Sequence, residues 1–390
     1  MKREQFLSSK WQPYPTAPAH HNRKGRVDHL ELSLPAEWNE ILRSGDWISA
    51  QVENNRVQEI CLLAPDLVES GTPLNSVWEQ HQEFQNFLQL VREFLVGRQF
   101  YEVHTPTLVP SPGTEPYLDV FSTEFSMGRN RQKLYLPTSP ELHLKKIIAK
   151  DGKNIFEMRP CFRNGEVSAH HQPEFWMLEF YRVFDNLEGI QSDVQALVSF
   201  LAEKMKVSGP QNIQTQSMSS LFQKILKFEL RPETTREDLL SLARAQDIHV
   251  QADECWDDLF FRIFLEKVEP KIPTEQLFFL NKYPPSQAAL ARLTADGWGD
   301  RFEVYWKGLE LGNAFHELND PKIQKDRFQE DLAKKRELGK EVVALDEDFL
   351  RALESGMPPS AGIAIGLERL FMALRGYHDL SEFRLFPIQS

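Results

Sequence analysis

One run of the sequence combines residue types that could bind a nucleotide and an amine. It reads CFRNGEVSAHHQPEFWMLEFYR over 161–182, and its first half offers Arg163, His170 and His171. The two-residue period of a strand places four later side chains on one face: Phe175, Met177, Glu179 and Tyr181. An arginine fork suits a phosphate, a flat phenylalanine suits a purine, and a carboxylate beside a phenol suits an ammonium group. A structural strand pair with incidental histidines also fits this run.

A second run carries two glutamates that could hold a metal ion. It reads RFEVYWKGLELGNAFHEL over 301–318. If Lys307-Gly308 forms a two-residue turn, Glu303 lies opposite Gly312 and diagonal to Glu310, about 7 Å away or less. Two carboxylates that close suit Mg²⁺, which binds one or two carboxylates together with substrate phosphates. Two glutamates on a solvated face are the alternative.

The same run can present further polar groups only if its second strand is irregular. In a regular strand, Asn313 and Glu317 point to the face opposite Glu310. A bulge near Gly312 is therefore needed if all these side chains line one pocket. Gly312, which has no side chain, would let a bulky ligand lie against the strand.

A third run, AGIAIGLERLFMAL, predicts a strand of small residues that leads into a helix. Glu368 and Arg369 fall in the first helical turn. Free N–H groups and partial positive charge at a helix N-terminus, next to an arginine, make a phosphate site. Simple packing of a strand onto a helix, with Gly366 allowing close approach, is the alternative.

A fourth run, TSPELHLKK, begins a helix at residues 138–146. Ser139 is a good capping residue, and Pro140 is expected at the first helical position. Glu141 in the first turn is either a partner of the helix dipole or a carboxylate that faces a substrate amine.

Length and composition place these runs in a globular chain. The 390 residues suggest two domains, and 41% hydrophobic with 26% charged residues is typical of a folded soluble protein. The net charge of −12 argues against bulk binding to nucleic acid. Three isolated cysteines argue against a disulfide framework or a CxxC metal site. No apolar run is long enough for a membrane span and no secretory signal is apparent, so we expect a cytoplasmic protein.

The hydrophobic pattern predicts three segments. Residues 1–26 lack periodicity and are expected to form an extended arm. Short alternating runs over 27–74 predict a small β module and linker, with a hairpin turn at Asn54-Asn55. Residues 75–390 predict an α+β domain that opens with a helix ending at Gly97. Because hairpins join most of its strands, we expect a large antiparallel sheet flanked by helices rather than a Rossmann fold.

The order of the motifs resembles the class II aminoacyl-tRNA synthetases of the lysine subgroup, over roughly residues 76–390. FYEVHTP is similar to motif 1, the first run to motif 2 and GIAIGLERL to motif 3. The resemblance implies an antiparallel sheet that binds ATP in a bent form. It also implies a homodimer, with Pro106 at its interface.

Within this subgroup, the chain most resembles the truncated paralogues that ligate (R)-β-lysine to elongation factor P. YPPSQAALAR, Ser139 in TSPE, Ala364 in GIAIG and FHEL match the pattern of that family. A methyl group at Ala364 would trim the pocket, which makes a β-amino acid plausible. The partners implied are elongation factor P and (R)-β-lysine, with no tRNA and no membrane.

The resemblance also implies roles for individual residues. Arg163, Arg369 and Glu310 would be catalytic, and Glu303 with Glu310 would carry Mg²⁺. The residues implied for ATP are Arg163, Asn164, Gly165, His171, Gln172, Phe175, Glu310, Leu311, Gly366 and Arg369. The residues implied for the amino acid are Ser139, Pro140, Glu141, Glu179, Tyr181, Asn313, Glu317 and Ala364. Of these, Tyr181, Asn313 and Glu317 would take the distal ammonium.

Two departures from the family pattern lie in motif 2. Gly165 occupies the usual glutamate position, so contact with the adenine amino group requires Glu166 or a backbone carbonyl to move in. Gln172 replaces an asparagine.

Three hypotheses about function follow from the sequence: a β-lysine ligase, which we favour, a reduced tRNA-charging enzyme, and a non-catalytic regulatory paralogue. Residues 1–74 carry eight basic and ten acidic residues, which disfavours an anticodon-binding module.

Overall fold

The computed structural model describes residues 5–13, 24–27, 30–33, 46–53, 56–64, 77–251 and 254–388. These residues divide into two compact units, Met1–Ser76 and Val77–Ser390. Among the described residues, no helix is long and apolar enough to cross a membrane.

The N-terminal unit contains a closed five-stranded barrel. Its strands are β1 (Gln5–Pro13), β2 (Lys24–Val27), β3 (Leu30–Ser33), β4 (Trp47–Glu53) and β5 (Arg56–Ala64). They are ordered β1-β2-β3-β5-β4, and β1 pairs with β4 to close the barrel. This strand order, with β3 and β5 parallel, is that of an OB-fold.

The barrel corrects the prediction of an extended arm over residues 1–26. Gln5–Lys10 pair residue by residue with β4, and Trp11–Pro13 pair with β2. The arm prediction was wrong because these pairings are made with distant residues and leave no periodicity in a short polar strand. The predicted hairpin agrees with the antiparallel pairing of β4 and β5, although Asn54 and Asn55 lie outside the described residues.

The second unit is built from helices and strands, as expected for the predicted α+β domain. The helices described there are α1 (Trp78–Gly97), α2 (Glu141–Asp151), α3 (Leu187–Met205), α4 (Met218–Leu226), α5 (Arg236–Ala245), α6 (Trp256–Ile263), α7 (Pro321–Glu337), α8 (Glu347–Glu354) and α9 (Leu367–Arg375). Helix α1 includes Gly97, and its cap is Arg98 rather than the predicted glycine.

Eight of the strands described in this unit form one sheet. The strands of the unit are β6 (Tyr101–Glu102), β7 (Phe121–Met127), β8 (Asn130–Leu136), β9 (Ile155–Phe162), β10 (Glu174–Val183), β11 (Ile213–Ser217), β12 (Leu277–Tyr283), β13 (Gly299–Trp306), β14 (Leu309–His316) and β15 (Ser360–Gly366). The sheet order is β11-β12-β13-β14-β15-β10-β9-β6, and β7 pairs with β8 in a separate hairpin. The six central strands are antiparallel as predicted, while the outermost pairs at both ends are parallel.

One face of this sheet packs on helices α1, α3 and α9, and this contact forms the main core. Helix α1 buries one apolar stripe against the sheet: Phe84, Phe87, Leu88, Val91, Phe94 and Leu95. Alternate residues of the strands, such as Phe302 and Val304, point into the same core. On the opposite face, Phe278 and Leu280 of β12 belong to a second hydrophobic cluster with α4, α5 and α6, while β10, β14 and β15 carry polar side chains there.

A bulge in β14 determines which of those polar side chains lie together. Lys307 and Gly308 form the predicted turn, with φ values of 55° and 77°. The register then shifts between Val304 and Tyr305, so that Glu303 pairs with Asn313 instead of the predicted Gly312. The bulge inferred from the sequence is present, and it brings Glu310 and Asn313 to one face.

Candidate functional site

A cavity of about 320 Å³ lies on the polar face of the eight-stranded sheet. Strands β10, β14 and β15, the loop before β10 and the start of α2 form its walls. The predicted site residues that line it are Ser139, Glu141, Arg163, His171, Gln172, Phe175, Glu179, Glu310, Leu311, Asn313, Ala364, Gly366 and Arg369. The structure thus brings the four separate sequence runs into one cavity.

One end of the cavity carries two arginines and an aromatic ring. The Arg163 guanidinium lies 5.0 Å from the centre of the Phe175 ring, and its Nε is buried without a hydrogen-bond partner. Arg369 donates to the Glu310 carbonyl oxygen at 2.9 Å and also contacts His171 Nε2. A buried guanidinium N–H without an acceptor is costly, so this end is suited to an anionic group beside a flat ring.

His171 orients Arg369 as a neutral acceptor. Burial lowers its pKa to about 4, and the positive charges of Arg369, His170 and Arg163 act in the same direction. The ring therefore carries no proton on Nε2 at neutral pH and can accept from the guanidinium. Its Nδ1 lies 2.9 Å from Ser168 Oγ, which holds the ring orientation.

The two glutamates of the predicted metal pair occupy different environments. Glu310 lines the cavity, and its Oε2 is 3.6 Å from Arg369. Glu303 does not line it: Tyr283 and Tyr305 each donate a hydroxyl to Glu303 Oε2 at 2.6 Å, and Arg301 donates to Oε1. The sequence could not reveal this second set of partners, because they come from β12 and from the same face of β13.

These two carboxylates fit a divalent cation in part. Burial and the negative charge of Glu303 raise the pKa of Glu310 to about 7, although nearby arginines oppose the shift. A cation bound next to these two carboxyl groups would stabilise their ionised form. Glu310 is available as a ligand, whereas Glu303 could contribute only the lone pair of Oε1 that Arg301 leaves free. Among the described residues no cluster of three metal-ligating side chains occurs, so substrate phosphates would have to complete the coordination.

The other end of the cavity carries a buried carboxylate that is only half satisfied. Tyr181 donates its hydroxyl to Glu179 Oε2 at 2.9 Å, while Glu179 Oε1 is buried without a partner. Burial and the neighbouring Glu141 raise the pKa of Glu179. Asn313 Oδ1, on the same cavity wall, also lacks a donor. Two acceptors without donors make this end suited to an ammonium group.

The position of Lys145 argues against the predicted role of Glu317 in binding the distal ammonium. The side chain of this lysine is fully buried, and its Nζ lies 2.5 Å from both Glu141 Oε1 and Glu317 Oε2. Glu317 does not line the cavity and already has a cation of its own. The expectation that Glu317 takes a substrate ammonium directly is therefore not supported by this geometry.

The remaining predicted residues lie around the cavity rather than on its wall. Pro140 is the residue before the first turn of α2, one position earlier than predicted, and Ser139 Oγ accepts from the Glu141 N–H at 3.2 Å. Asn164 donates its N–H to the carbonyl of Asp119 at 2.9 Å. Tyr181 does not line the cavity, but its hydroxyl contacts Glu179, which does.

The departure in motif 2 has a structural explanation. Gly165 has φ +83°, which favours glycine, and the next residue, Glu166, lines the cavity. The turn at Gly165 therefore directs the side chain of Glu166 to the cavity, although the usual glutamate position of motif 2 is residue 165. Gln172 lines the cavity wall, but its amide exchanges two hydrogen bonds with the backbone of Ile388, at 2.8 and 3.1 Å.

Sequence reasoning missed several residues of the cavity wall: Glu115, Leu118, Thr138, Leu290, Phe315 and Leu380. Most lie on loops, where periodicity gives no signal. Leu290 belongs to the stretch YPPSQAALAR, whose resemblance to the ligases implies no role for any single residue. Arg327 from α7 fixes that stretch by donating to three carbonyl oxygens, those of Ala288, Ala289 and Ala291.

Comparison with known proteins agrees with this geometry. Residues 77–390 match the model of the family described as tRNA synthetases class II (D, K and N). The chain belongs to this family. The match begins where the second unit begins, so the barrel lies outside it. Membership of the class II family implies the use of ATP, and the arginine and aromatic end of the cavity suits that substrate.

Three relatives are named elongation factor P–(R)-β-lysine ligase. The protein from Proteus mirabilis is 34% identical over 325 residues, which is 80% of this chain and 97% of the relative. The protein from Haemophilus influenzae (strain PittGG) is 35% identical over 330 residues, 82% of this chain and 99% of the relative. The protein from Vibrio atlanticus is 33% identical over 327 residues, 80% of this chain and 99% of the relative. The resemblance drawn from the motifs is confirmed.

Proposed function

We propose that the chain is an ATP-dependent ligase. It activates (R)-β-lysine as an adenylate and transfers it to a lysine side chain of elongation factor P. One observation carries this proposal: a single cavity joins a guanidinium whose Nε lacks a partner, beside an aromatic ring, to a buried carboxylate with one oxygen free of hydrogen bonds. The end with Arg163, Arg369 and Phe175 suits ATP, and we call it the nucleotide end. The end with Glu179 and Asn313 suits an amine, and we call it the amino-acid end. The names of the relatives support the choice of both substrates.

In the first step, a carboxylate oxygen of the amino acid attacks the α-phosphorus of ATP. The bond from that phosphorus to the bridging oxygen breaks, and pyrophosphate leaves. Arg163 would neutralise the α-phosphate and Arg369 the γ-phosphate, while Phe175 stacks on the adenine. Catalysis rests on positioning and charge neutralisation, so no protein nucleophile is needed.

In the second step, the neutral amine of the acceptor lysine attacks the acyl carbon of the adenylate. An amide bond forms, AMP leaves, and the amine loses a proton to solvent. The residues of the amino-acid end hold the substrate during both steps. Glu179 would bind one ammonium through Oε1, and Ser139 and Ala364 would limit the space around it.

Mg²⁺ is proposed as a further requirement. Glu310 would hold the ion together with the phosphates of ATP, and Glu303 would support it from one oxygen. When bound, the ion would neutralise phosphate charge. We also propose that the protein acts in the cytoplasm as a homodimer, with the segment FYEVHTP at the interface.

A second candidate is a tRNA-charging enzyme, and the N-terminal barrel is the observation that favours it. OB-fold barrels commonly bind single-stranded nucleic acid. The charge balance of about −2 over residues 1–74 opposes this role, because such grooves are basic. We therefore favour a protein acceptor.

The activation step is tested by amino-acid-dependent exchange of pyrophosphate into ATP. We expect (R)-β-lysine to support faster exchange than L-lysine does, and Glu310→Ala to abolish exchange while the circular dichroism spectrum stays unchanged. Exchange supported by L-lysine alone would contradict the choice of substrate. Full exchange by Glu310→Ala would contradict the site.

A further inference from the structure

The carboxylates near the amino-acid end differ in how much of their charge is already neutralised. Glu141 and Glu317 share the ammonium of Lys145. Glu179 accepts the hydroxyl of Tyr181 on one oxygen only. Glu115 also lines the cavity, and no ammonium or guanidinium of the described residues lies within ion-pair distance of its carboxylate. Glu115 and Glu179 are therefore the acidic groups of this end with capacity for a new cation.

The loop that carries Glu115 is fixed to other parts of the chain. Gly113 has φ +117°, a backbone conformation that favours glycine, and a Cβ atom there would lie 2.4 Å from Glu115 Oε2 and would displace the carboxylate. Thr114 Oγ1 donates to Asp331 Oδ2 at 2.8 Å, and Ser111 Oγ donates to the carbonyl of Ala344 at 2.7 Å. Both contacts tie the loop to distant parts of the chain.

A small recess of about 30 Å³ lies beside this carboxylate. Its volume suits one group the size of an ammonium or a water molecule. The wall includes three carboxylates, from Glu115, Glu141 and Asp331, together with Leu290. Glu115 and Glu141 line both the recess and the main cavity, so a substrate in the cavity can place an amine between them.

The electrostatics of Glu115 agree with an amine partner. Burial raises its pKa to about 7, its own backbone N–H opposes the shift, and the charges of Glu141 and Asp331 add to it. The charge of Lys335 also opposes the shift but does not cancel it. A carboxyl in this state is stabilised as the anion when a cation binds next to it.

We propose that Glu115 is a specificity-determining residue that binds an ammonium group of the amino-acid substrate, so that the pocket selects diamino acids. This inference rests on the proposed function, because it requires an amino acid with two amines. It adds a carboxylate that no motif of the sequence indicated.

The test compares Glu115→Gln with the unaltered full chain in pyrophosphate exchange. Three substrates are used: (R)-β-lysine, 6-aminohexanoic acid, which lacks the β-amine, and 3-aminohexanoic acid, which lacks the distal amine. We expect kcat/KM for (R)-β-lysine to fall about 10- to 100-fold, the scale of one hydrogen bond to a charged group, with KM for ATP unchanged. The loss should disappear with whichever analogue lacks the contacted amine.

Two further variants separate recognition from structure. Gly113→Ala should reproduce the amine-dependent loss, because its Cβ displaces the carboxylate. Glu124→Gln, which alters an exposed carboxylate of the β7–β8 hairpin outside the cavity and the recess, should change kcat/KM less than threefold. No loss in Glu115→Gln, an equal loss with both analogues, or an equal loss in Glu124→Gln would overturn the proposal.

Failure of the proposed function gives a different result. If the unaltered chain activates L-lysine instead of (R)-β-lysine, the same comparison is made with L-lysine, norleucine and 6-aminohexanoic acid. An amine-dependent loss there keeps the role of Glu115 while the choice of substrate fails. Activation of monoamino acids alone would overturn both.

Discussion

The buried ammonium of Lys145 allows a sharp prediction about stability. Its Nζ lies 2.5 Å from two carboxylates, those of Glu141 and Glu317, and its side chain is fully buried. Burial lowers the lysine pKa, but the two carboxylates outweigh burial and raise it. Lys145 is therefore charged at neutral pH. Replacement by glutamine leaves Glu141 and Glu317 close together without a cation.

Removing one partner of a buried ion pair costs about 3–5 kcal/mol. A typical free energy of unfolding is about 5–15 kcal/mol, so Lys145→Gln should remove a large share of it. The neighbouring residue gives a matched control. Lys146 is part-exposed and pairs with the buried Asp346 at 2.6 Å, so Lys146→Gln should cost less than Lys145→Gln, about 1–2 kcal/mol. Urea unfolding of the full chain, followed by circular dichroism, measures both.

The pH dependence gives an independent check. Burial raises the pKa of Glu317 to about 8 from an ordinary 4.5. An acid whose pKa is raised on folding binds more protons in the folded state, so its contribution to stability falls as pH rises from about 4.5 to 8. Without the positive charge of Lys145, this pH dependence becomes steeper. The loss of free energy of unfolding caused by Lys145→Gln should therefore be smaller at pH 5.5 than at pH 8. A loss of free energy of unfolding no larger than that of Lys146→Gln, or a loss that is smaller at pH 8 than at pH 5.5, would refute the reasoning.

Contacts around both ends of the cavity give three further predictions. Gln172→Ala breaks the amide pair with the C-terminal segment and should raise KM for ATP severalfold, measured by pyrophosphate exchange; an unchanged KM would contradict a positioning role. Arg369→Gln removes a positive charge next to His171, so NMR titration should find the His171 pKa raised from about 4 toward 6.5, and no rise would contradict the contact. Arg327→Met releases three carbonyls and should raise KM for the amino acid but leave KM for ATP unchanged; equal changes in both would contradict it.

Local patterns in the sequence predicted the central sheet well. The alternation in β10 placed Phe175 and Glu179 on the cavity wall, because a strand has a fixed two-residue period. The turn at Lys307-Gly308 was also predicted from local chemistry. The position of Glu303 was wrong by one residue, since a bulge shifts register and its location depends on neighbouring strands.

Contacts between distant parts of the chain could not be read from these patterns. The pairing of Lys145 with Glu317 joins α2 to the end of β14 across more than 170 residues, and the sequence marks both only as charged. Glu115 lies on a loop whose shape depends on Gly113 and on contacts with α7. The closure of the N-terminal barrel likewise depends on non-local strand pairing.

The acceptor of the activated amino acid tests the central claim most directly. The full chain is incubated with ATP, Mg²⁺ and radiolabelled (R)-β-lysine in the presence of both elongation factor P and total tRNA, and the label in each is measured. We predict label on a lysine side chain of elongation factor P and none on tRNA. Label on tRNA with none on elongation factor P would contradict it.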